Sequence, residues 1–184
     1  MEVFHTAPTD AVSRPPEESR VYALLERLHI PFARVEHPAA DSMAQCEEAG
    51  AALGVQLCKN LFLCNRQKTA FYLLLMPKDK PFRTKQLSAQ IGSARLSFAS
   101  PEDMKRLLDV TPGSVSVMGL MNDTTHAVRL LVDEDLLTEP YLGCHPCRNT
   151  ASLKLPTQAV FEDFLTFTGH ALTPVYLTGE EESV

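Results

Sequence analysis

A lysine at the start of an apolar run is the first residue of this chain whose position calls for a chemical explanation. Lys59 follows Cys58 and precedes Asn60-Leu61-Phe62-Leu63-Cys64, which together have the length of a strand. The aliphatic stem of such a lysine lies among apolar neighbours, and its ammonium must find an anion, a carbonyl group or water. Lys59 is therefore our first candidate for a residue that does chemistry.

A second chemical motif is Cys144-His145-Pro146-Cys147, which has the Cys-x-x-Cys spacing. In a thioredoxin-like site such a pair begins a helix, whose dipole lowers a thiol pKa, but residues 148–155 are typical of a turn and a strand. A structural zinc site needs a second ligand pair at a fixed spacing, and Cys58 with Cys64 matches that poorly. A redox or zinc protein is thus the weaker alternative, and we expect no metal and no cofactor.

His145 also lies in an irregular corner with Gly143, Pro146, Asn149 and Thr150. Corners of this kind often build pockets, because loops carry binding groups on a rigid scaffold. His145 can either take part in chemistry there or hold the corner together by hydrogen bonding. The residues alone leave both roles open.

Length and composition indicate one compact domain. The chain has 184 residues, of which 45% are hydrophobic, and this is enough to bury a sizeable core. It has no apolar run of about 18 residues, and its first ten residues lack the pattern of a signal peptide. Five cysteines at uneven spacing favour reduced thiols. We therefore expect a soluble, cytoplasmic monomer without membrane contact.

Charge is distributed unevenly along the chain. The formal net charge is -6, but residues 54–106 contain ten Lys or Arg against three acids, while the remainder contains seven basic and twenty acidic residues. A basic middle in an acidic protein suits a local contact with phosphates better than general binding to polyanions. An ordinary solvated surface is the alternative.

The elements that must position these residues alternate irregularly. Helices are predicted by apolar spacing at 15–29, 42–53, 84–91, 100–109 and 157–168, and the predicted N-caps are Ser100, Thr157 and either Asp41 or Ser42. Strands are predicted at 30–36, 58–64, 69–76, 96–98, 115–120, 127–132, 174–177 and 141–155, the last broken at 143–147. The runs 58–64 and 69–76 should form a hairpin, and 115–120 with 127–132 another. His37, before Pro38, is typical of a turn.

This pattern of strands in hairpins interleaved with helices predicts a mixed α+β fold within the α/β class. We expect a single domain with a mixed, largely antiparallel sheet flanked by helices. Residues 1–14 are predicted to be a mobile lead-in, residues 15–178 the domain, and residues 179–184 a polar tail.

Several short stretches occur in an order that is specific, although each is ordinary alone. They are Lys59-Asn60-Leu61-Phe62-Leu63, Tyr72-Leu73-Leu74, Arg95-Leu96-Ser97-Phe98-Ala99, Pro112-Gly113-Ser114-Val115-Ser116, Gly119-Leu120, and His145-Pro146 with Asn149-Thr150. Over residues 16–177 this arrangement resembles the YbaK-type prolyl-tRNA editing family. Within the family it is similar to the free-standing deacylases of the PrdX or ProXp-ala type, which resemble the editing insertion of bacterial prolyl-tRNA synthetases.

The resemblance implies the fold, the reaction and the site. The fold would be that of the YbaK or prolyl-tRNA synthetase-associated domain, and the reaction would be hydrolysis of the ester of mischarged tRNA(Pro), with alanyl-tRNA(Pro) as substrate. The implied site residues are the catalytic Lys59 and the substrate-binding Gly113, Ser114, Val115, His145, Asn149 and Thr150. The implied partners are the acceptor end of the tRNA and, as a candidate, prolyl-tRNA synthetase.

Some positions depart from the family pattern, so the resemblance does not determine the size and selectivity of the aminoacyl pocket. Val117 and Met118 stand where relatives usually carry proline and phenylalanine, and Cys147 and Ser152 stand where leucine and threonine are common. A deacylase for cysteinyl-, seryl- or threonyl-tRNA and a non-catalytic tRNA- or synthetase-binding module are therefore the alternatives. For an enzyme, the predicted phosphate contacts in the basic segment are Lys78, Lys80, Arg83 and Lys85.

Overall fold

Two β-sheets with helices packed on them form the part of the chain that the computed structural model describes, residues 1–10, 13–39 and 43–178. The helices are α1 (Pro16–Arg27), α2 (Met43–Leu53), α3 (Thr84–Ile91), α4 (Pro101–Leu108), α5 (Glu134–Leu137) and α6 (Leu165–Thr168). A 3-10 helix spans Val117–Asn122, and a π-helical segment, Ala159–Phe164, leads into α6. The strands are β1 (Ala33–Glu36), β2 (Lys59–Asn65), β3 (Phe71–Met76), β4 (Leu96–Phe98), β5 (Val128–Asp133), β6 (Tyr141–Cys144), β7 (Ala151–Pro156) and β8 (Leu172–Val175).

The larger sheet has the strand order β4-β2-β3-β5-β8, and the smaller has the order β1-β7-β6. In the larger sheet β4, β2 and β3 are antiparallel, whereas β3, β5 and β8 run parallel. The smaller sheet is wholly antiparallel. The predicted mixed α+β class is confirmed, and the sheet is divided in two.

The predicted hairpin of residues 58–76 forms the middle of the larger sheet. β2 pairs with β3 from Lys59 opposite Met76 to Cys64 opposite Phe71. β3 is buried on both faces, because Leu73 and Leu75 contribute to the main core and Leu74 and Met76 to a second cluster. A strand covered on both faces is apolar at every position, which explains the unbroken apolar run.

Helices cover the sheets on different sides. The main core joins the inner face of the larger sheet to α1 and α4 and to Val160 and Phe164 of the last helical segment. The second cluster packs Leu87 of α3 on the outer face. A third cluster packs α2 against β1 through Ala49, Leu53 and Val35.

Local signals locate most helix ends correctly. The hydroxyl of Ser100 accepts a hydrogen bond from the Asp103 amide, as a capping box requires. Gly92 ends α3 in the left-handed region with a φ of 65°, where glycine lacks the steric cost of a side chain. The predicted caps Asp41 and Ser42 lie outside the described residues. The predicted cap Thr157 is wrong, because its buried hydroxyl has no hydrogen-bond partner among the described residues.

The prediction of a strand at 115–120 paired with 127–132 is wrong. Residues 117–122 form the 3-10 helix, and β5 instead pairs in parallel with β3 and β8. The Ser116 hydroxyl accepts from the Met118 amide and starts the helix, while Gly119 passes close to Leu108 of α4. A short, wholly buried apolar run fits either a strand or a helical turn, so tertiary packing decided between them.

Residues near the N-terminus contact the smaller sheet. Phe4 and Arg34 exchange two backbone hydrogen bonds, of 2.9 and 2.8 Å. The Arg34 guanidinium also lies over the Phe4 ring, 4.4 Å from its centre. The domain limits stay a prediction, and the predicted tail lies outside the described residues. No described helix has both the length and the apolar character needed to cross a bilayer.

One close backbone approach joins the two sheets. Gly143 of β6 forms a parallel bridge with Leu57, and its carbonyl accepts from the Cys58 amide at 3.0 Å. A Cβ atom on Gly143 would lie 2.7 Å from Leu57 Cδ2 and 2.9 Å from the Gln56 carbonyl oxygen. Only glycine fits at this joint.

We therefore expect Gly143→Ala to lower the free energy of unfolding by about 1–3 kcal/mol, because the added methyl group overpacks the joint. Urea denaturation measures this loss. Leu57→Ala removes one clashing atom but leaves the Gln56 oxygen, so the double variant should lose less stability than the two single variants summed. Simple additivity would show that the joint is not tightly packed.

Candidate functional site

Three segments that the sequence singled out meet beside the joint between the sheets. The Cys58 amide donates a hydrogen bond to the Gly143 carbonyl, and the Cys58 thiol lies 3.2 Å from the same carbonyl oxygen. Lys59 follows Cys58 along the chain, and His145 lies two residues beyond Gly143. The start of the lysine strand and the His-Pro corner are thus fixed to each other through one backbone contact.

Two serine hydroxyls attach the Pro-Gly loop to the corner. Ser114 Oγ accepts from the Asn149 amide at 3.1 Å, and Ser116 Oγ donates to the His145 carbonyl at 2.6 Å. Ser114 is only 1% exposed, so its hydroxyl positions the corner. Val115, between them, is half-buried and packs against the main core.

Gly113 is the exposed tip of this loop. Its φ of 83° lies in the left-handed region, which favours glycine. A Cβ atom there would lie 3.6 Å from Asn149 Nδ2, so the Asn149 side chain lies next to the loop. The structure therefore brings together Gly113, Ser114, His145 and Asn149, as the resemblance implied.

The His145 ring has a defined tautomer. Its Nδ1 lies 2.8 Å from the Ala151 carbonyl oxygen, and a carbonyl can only accept, so Nδ1 carries the proton. Burial lowers the His145 pKa, partly offset by the bond to Ala151, and nearby His37 lowers it further. The ring is therefore neutral at pH 7, and Nε2 offers a lone pair that no described residue occupies.

His37 is a further residue of the candidate site, and the sequence-based prediction did not include it. Its ring centre lies 6.2 Å from that of His145, and its Nε2 lies 2.9 Å from the Ser152 hydroxyl. Its amide donates to the Thr150 carbonyl at 3.0 Å, which extends the pairing of β1 with β7 by one residue. The available signal is that His37 directly follows a predicted strand, although the Pro38 after it is typical of a turn.

The Lys59 ammonium does not point into the corner. Strand alternation places its side chain on the face of Leu61 and Leu63, opposite Cys58 and Asn60. Its Nζ donates to the Lys80 carbonyl at 2.8 Å. An ammonium has three N–H groups. Within the described part of the chain only one of them has an acceptor, the Lys80 carbonyl. Lys59 is half-buried, and its catalytic role stays a prediction.

Asn60 is a second residue that the sequence analysis did not single out. Its Nδ2 donates to the Cys58 carbonyl at 3.2 Å, which fixes the orientation of the amide because that carbonyl can only accept. Its Oδ1 is buried and has no partner among the described residues. The available signal is that Asn60 is a polar residue within an otherwise apolar strand.

The cysteines are thiols set in apolar surroundings. All five are free, and burial raises the pKa of Cys144, that of Cys147 to about 12 and that of Cys58 to about 11. Such thiols are protonated and poorly nucleophilic at neutral pH. Among the described residues, no three His, Cys, Asp or Glu side chains are grouped so that they could hold a metal ion.

The four predicted phosphate contacts lie after β3 and at the start of α3. Lys78 forms an ion pair with Glu47 at 2.6 Å, and the Lys80 ammonium lies 2.9 Å from Asp133 and 2.7 Å from Asp135. Both lysine side chains are largely buried, whereas the predicted contacts Arg83 and Lys85 are exposed. Contact with phosphate stays a prediction for all four.

A sequence profile described as the aminoacyl-tRNA editing domain matches residues 37–162. The chain belongs to the aminoacyl-tRNA editing domain family. The match begins at His37 and includes the whole site described above. It confirms the resemblance found in the sequence.

Two relatives of this editing-domain chain are similar over most of their length. The prolyl-tRNA editing protein ProX of Acetoanaerobium sticklandii is 33% identical over 135 residues, which cover 73% of this chain and 82% of that protein. The prolyl-tRNA synthetase associated domain-containing protein 1 of Danio rerio is 30% identical over 156 residues, covering 84% and 83% respectively.

A solved structure with a proposed role as a trans-editing enzyme for prolyl tRNA synthetase has the same fold as this editing domain. It superposes with a TM-score of 0.66 at 24% identity and covers 89% of this chain and 99% of its own. The likeness confirms the expected fold.

The neutral His145 of this editing domain predicts a dependence of stability on pH. The unfolded chain protonates this residue near its ordinary pKa of 6.5, while the folded corner resists protonation. The unfolded state then binds more protons below that pH, so the free energy of unfolding falls as pH is lowered from about 7 to about 5. His145→Asn should flatten part of this decline in urea titrations. An identical decline in the variant would contradict the assignment.

Native alkylation checks the state of the thiols. With iodoacetamide at about pH 8 we expect half-buried Cys46 to react first and Cys144 and Cys147 to stay unmodified, because buried thiols are protonated. Mass spectrometry of peptides gives the order, and the urea-unfolded chain, in which all five should react, is the control. Rapid modification of Cys144 or Cys147 in the folded protein would restore the redox alternative.

Proposed function

We propose that this chain hydrolyses the ester bond of aminoacyl-tRNA, that its substrate is mischarged tRNA(Pro), and that the preferred acyl group is alanine. Membership of the editing-domain family supports the reaction class, and the name of the ProX relative supports tRNA(Pro). The observation that carries the proposal is the Pro-Gly loop bonded to a corner whose neutral His145 presents a free Nε2, beside the start of the lysine strand.

An aminoacyl ester is already reactive, so the site has mainly to orient it, place a water molecule and stabilise the oxyanion. We assign stabilisation of the oxyanion to the Lys59 ammonium, which at the first residue of β2 would have to turn from the Leu61 face toward the corner when the ester binds. Its one hydrogen bond to the Lys80 carbonyl has a charged donor and is worth about 1.5–3 kcal/mol. The oxyanion would replace that carbonyl as acceptor, so the bond is exchanged and not simply lost. A charge in a poorly solvated site stabilises an oxyanion more than one in open water.

We assign His145 the role of an acceptor. With Nδ1 fixed on Ala151, its Nε2 can accept a hydrogen bond from the attacking water or from a hydroxyl of the terminal ribose. The lowered pKa keeps that lone pair free at neutral pH. His37 and Ser152 hold the adjacent strand ends, and so keep the ring in place.

Selectivity for alanine over proline would be steric. A small pocket accepts a methyl group and excludes a pyrrolidine ring, and a rigid wall rejects the larger group more strongly than lost attraction would. The four positions that depart from the family pattern, Val117, Met118, Cys147 and Ser152, are at most 1% exposed. They would therefore not touch the substrate themselves. Their packing beneath the loop and the corner would set the position of the residues that line the pocket.

We expect Lys59→Ala to lower kcat/KM for alanyl-tRNA(Pro) by about 10²–10³-fold or more, because it removes the charge that stabilises the oxyanion. Its thermal midpoint should stay within a few degrees of wild type, since only one hydrogen bond to the protein is lost. Lys105→Ala, which removes an exposed lysine of α4, is the control and should retain activity. A Lys59→Ala protein that turns over as fast as wild type would disprove the assignment.

A panel of substrates tests the rest of the proposal. The pure protein is offered alanyl-, cysteinyl-, seryl-, threonyl- and prolyl-tRNA, and release of the amino acid is measured. We expect alanyl-tRNA(Pro) to be hydrolysed fastest and prolyl-tRNA to be spared. Faster hydrolysis of another ester would change the substrate that we assign. If the protein binds the tRNAs but hydrolyses none of the esters, it is a binding module instead.

A further inference from the structure

The fold separates the basic residues of the middle segment into two groups. Those after β3, near Lys59, include Lys78 and Lys80, whose ammonium groups already contact Glu47, Asp133 and Asp135. Four others, Arg66, Lys68, Arg95 and Arg106, lie at the far end of the hairpin, where Arg129 of β5 joins them, and meet far less negative charge. A cation whose charge is already paired with a carboxylate contributes less to binding an outside anion, so the two groups differ in what they can bind.

The second group lies on four neighbouring elements, and we call it the hairpin-end cluster. It consists of Arg66 and Lys68 in the turn between β2 and β3, Arg95 before β4, Arg106 on α4 and Arg129 on β5. All five side chains belong to exposed residues. The pairing of β2 with β4 ends at Asn65 opposite Leu96, so Arg66 and Arg95 are the next residues outward on adjacent strands.

The acids near this cluster leave most of its charge available. Lys68 and Arg106 share one carboxylate, Asp103, at 3.3 and 2.8 Å. The Arg129 guanidinium is hydrogen-bonded to the Thr173 hydroxyl. Arg66 and Arg95 contact no acidic side chain among the described residues. The cluster therefore has a strong net positive charge in a protein whose overall charge is -6.

The cluster is also separated from Lys59 by the length of β2. Arg66 lies seven residues beyond Lys59, which in an extended strand corresponds to about 23 Å. Neighbouring strands are about 4.8 Å apart, so cations on β4, β2, β3 and β5 form a row across the end of the sheet. This row, three guanidinium groups and the Lys68 ammonium, matches a row of phosphates, and each arginine can bind a phosphate through two N–H groups.

We propose that the hairpin-end cluster binds backbone phosphates of the tRNA acceptor duplex while the aminoacylated end reaches Lys59. The proposal rests on the proposed function and adds to it a second contact surface, away from the reacting ester. Proteins recognise double-helical RNA largely through its shape, phosphates and ribose hydroxyls, so such a surface gives affinity and orientation, and selection of the acyl group stays at the site.

The test compares two double variants that each remove two positive charges. Arg66→Gln with Arg95→Gln removes cluster residues without an acidic partner, so folding should be unaffected. Arg20→Gln with Arg27→Gln removes two exposed arginines of α1 and is the control for the loss of charge. Because Arg20 pairs with Asp109 and Arg27 lies over the Phe167 ring, the thermal midpoints of both double variants are measured alongside. Each protein is assayed on alanyl-tRNA(Pro) and on the alanyl ester of the trinucleotide CCA, which lacks the acceptor duplex.

We expect the cluster variant to lose about tenfold or more in kcat/KM on the whole tRNA and to match wild type on the oligonucleotide ester. Its binding to uncharged tRNA(Pro) is measured by fluorescence anisotropy at several salt concentrations. The slope of log K against log salt concentration should fall by the amount expected for about two lost phosphate contacts. The control variant should behave as wild type in both assays.

Other outcomes overturn the proposal. Unchanged activity and tRNA binding in the cluster variant would exclude the surface, and an equal loss on both substrates would place the effect at the ester site. A loss that appears only when prolyl-tRNA synthetase is present would assign the surface to a protein partner. If wild type hydrolyses neither substrate, the proposed function fails, whereas the anisotropy measurement still decides on the surface.

Discussion

The contact between Gly143 and the residues before β2 is the constraint on which the arrangement of the site depends. It is the backbone joint between the two sheets, and it leaves no room for a side chain at position 143 of β6. Because Lys59 and His145 each lie within two residues of this joint, the relative position of their backbones follows from backbone hydrogen bonding. A position fixed in that way is less sensitive to side-chain rearrangement than one set by rotamers alone.

Hydrogen bonds inside the corner make it rigid before any substrate arrives. Ser114, Ser116, Ser152 and His37 use their polar groups on backbone or on one another, and buried polar groups that are satisfied in this way are costly to separate. The His145 ring is held on one edge and open on the other. Such preorganisation suits a reaction whose substrate is reactive and whose difficulty is geometric.

The sequence predicted most elements that position the site, and it failed where long-range packing decides. The β2–β3 hairpin followed from two apolar runs around a polar turn, and the start of α4 from the Ser-Pro-Glu-Asp signature, because both depend on local chemistry. The 3-10 helix at 117–122 did not follow, since its apolar run is equally compatible with a strand. Family resemblance brought Gly113, Asn149 and His145 together, whereas spacing alone did not. The direction of the Lys59 side chain, and the proximity of His37 to His145, depend on strand register and on pairing across more than a hundred residues.

The order of strands in the larger sheet has a consequence for how the protein is made. β3 pairs with β5, whose residues are synthesised more than fifty positions later, and β5 in turn pairs with β8. Local hairpins form early, while pairings between distant segments form late. During synthesis the lysine strand can therefore pair with β3 long before β6 and the corner have left the ribosome. A nascent or truncated chain therefore holds the β2–β3 hairpin without the corner, so the candidate site forms only when nearly the whole chain is present.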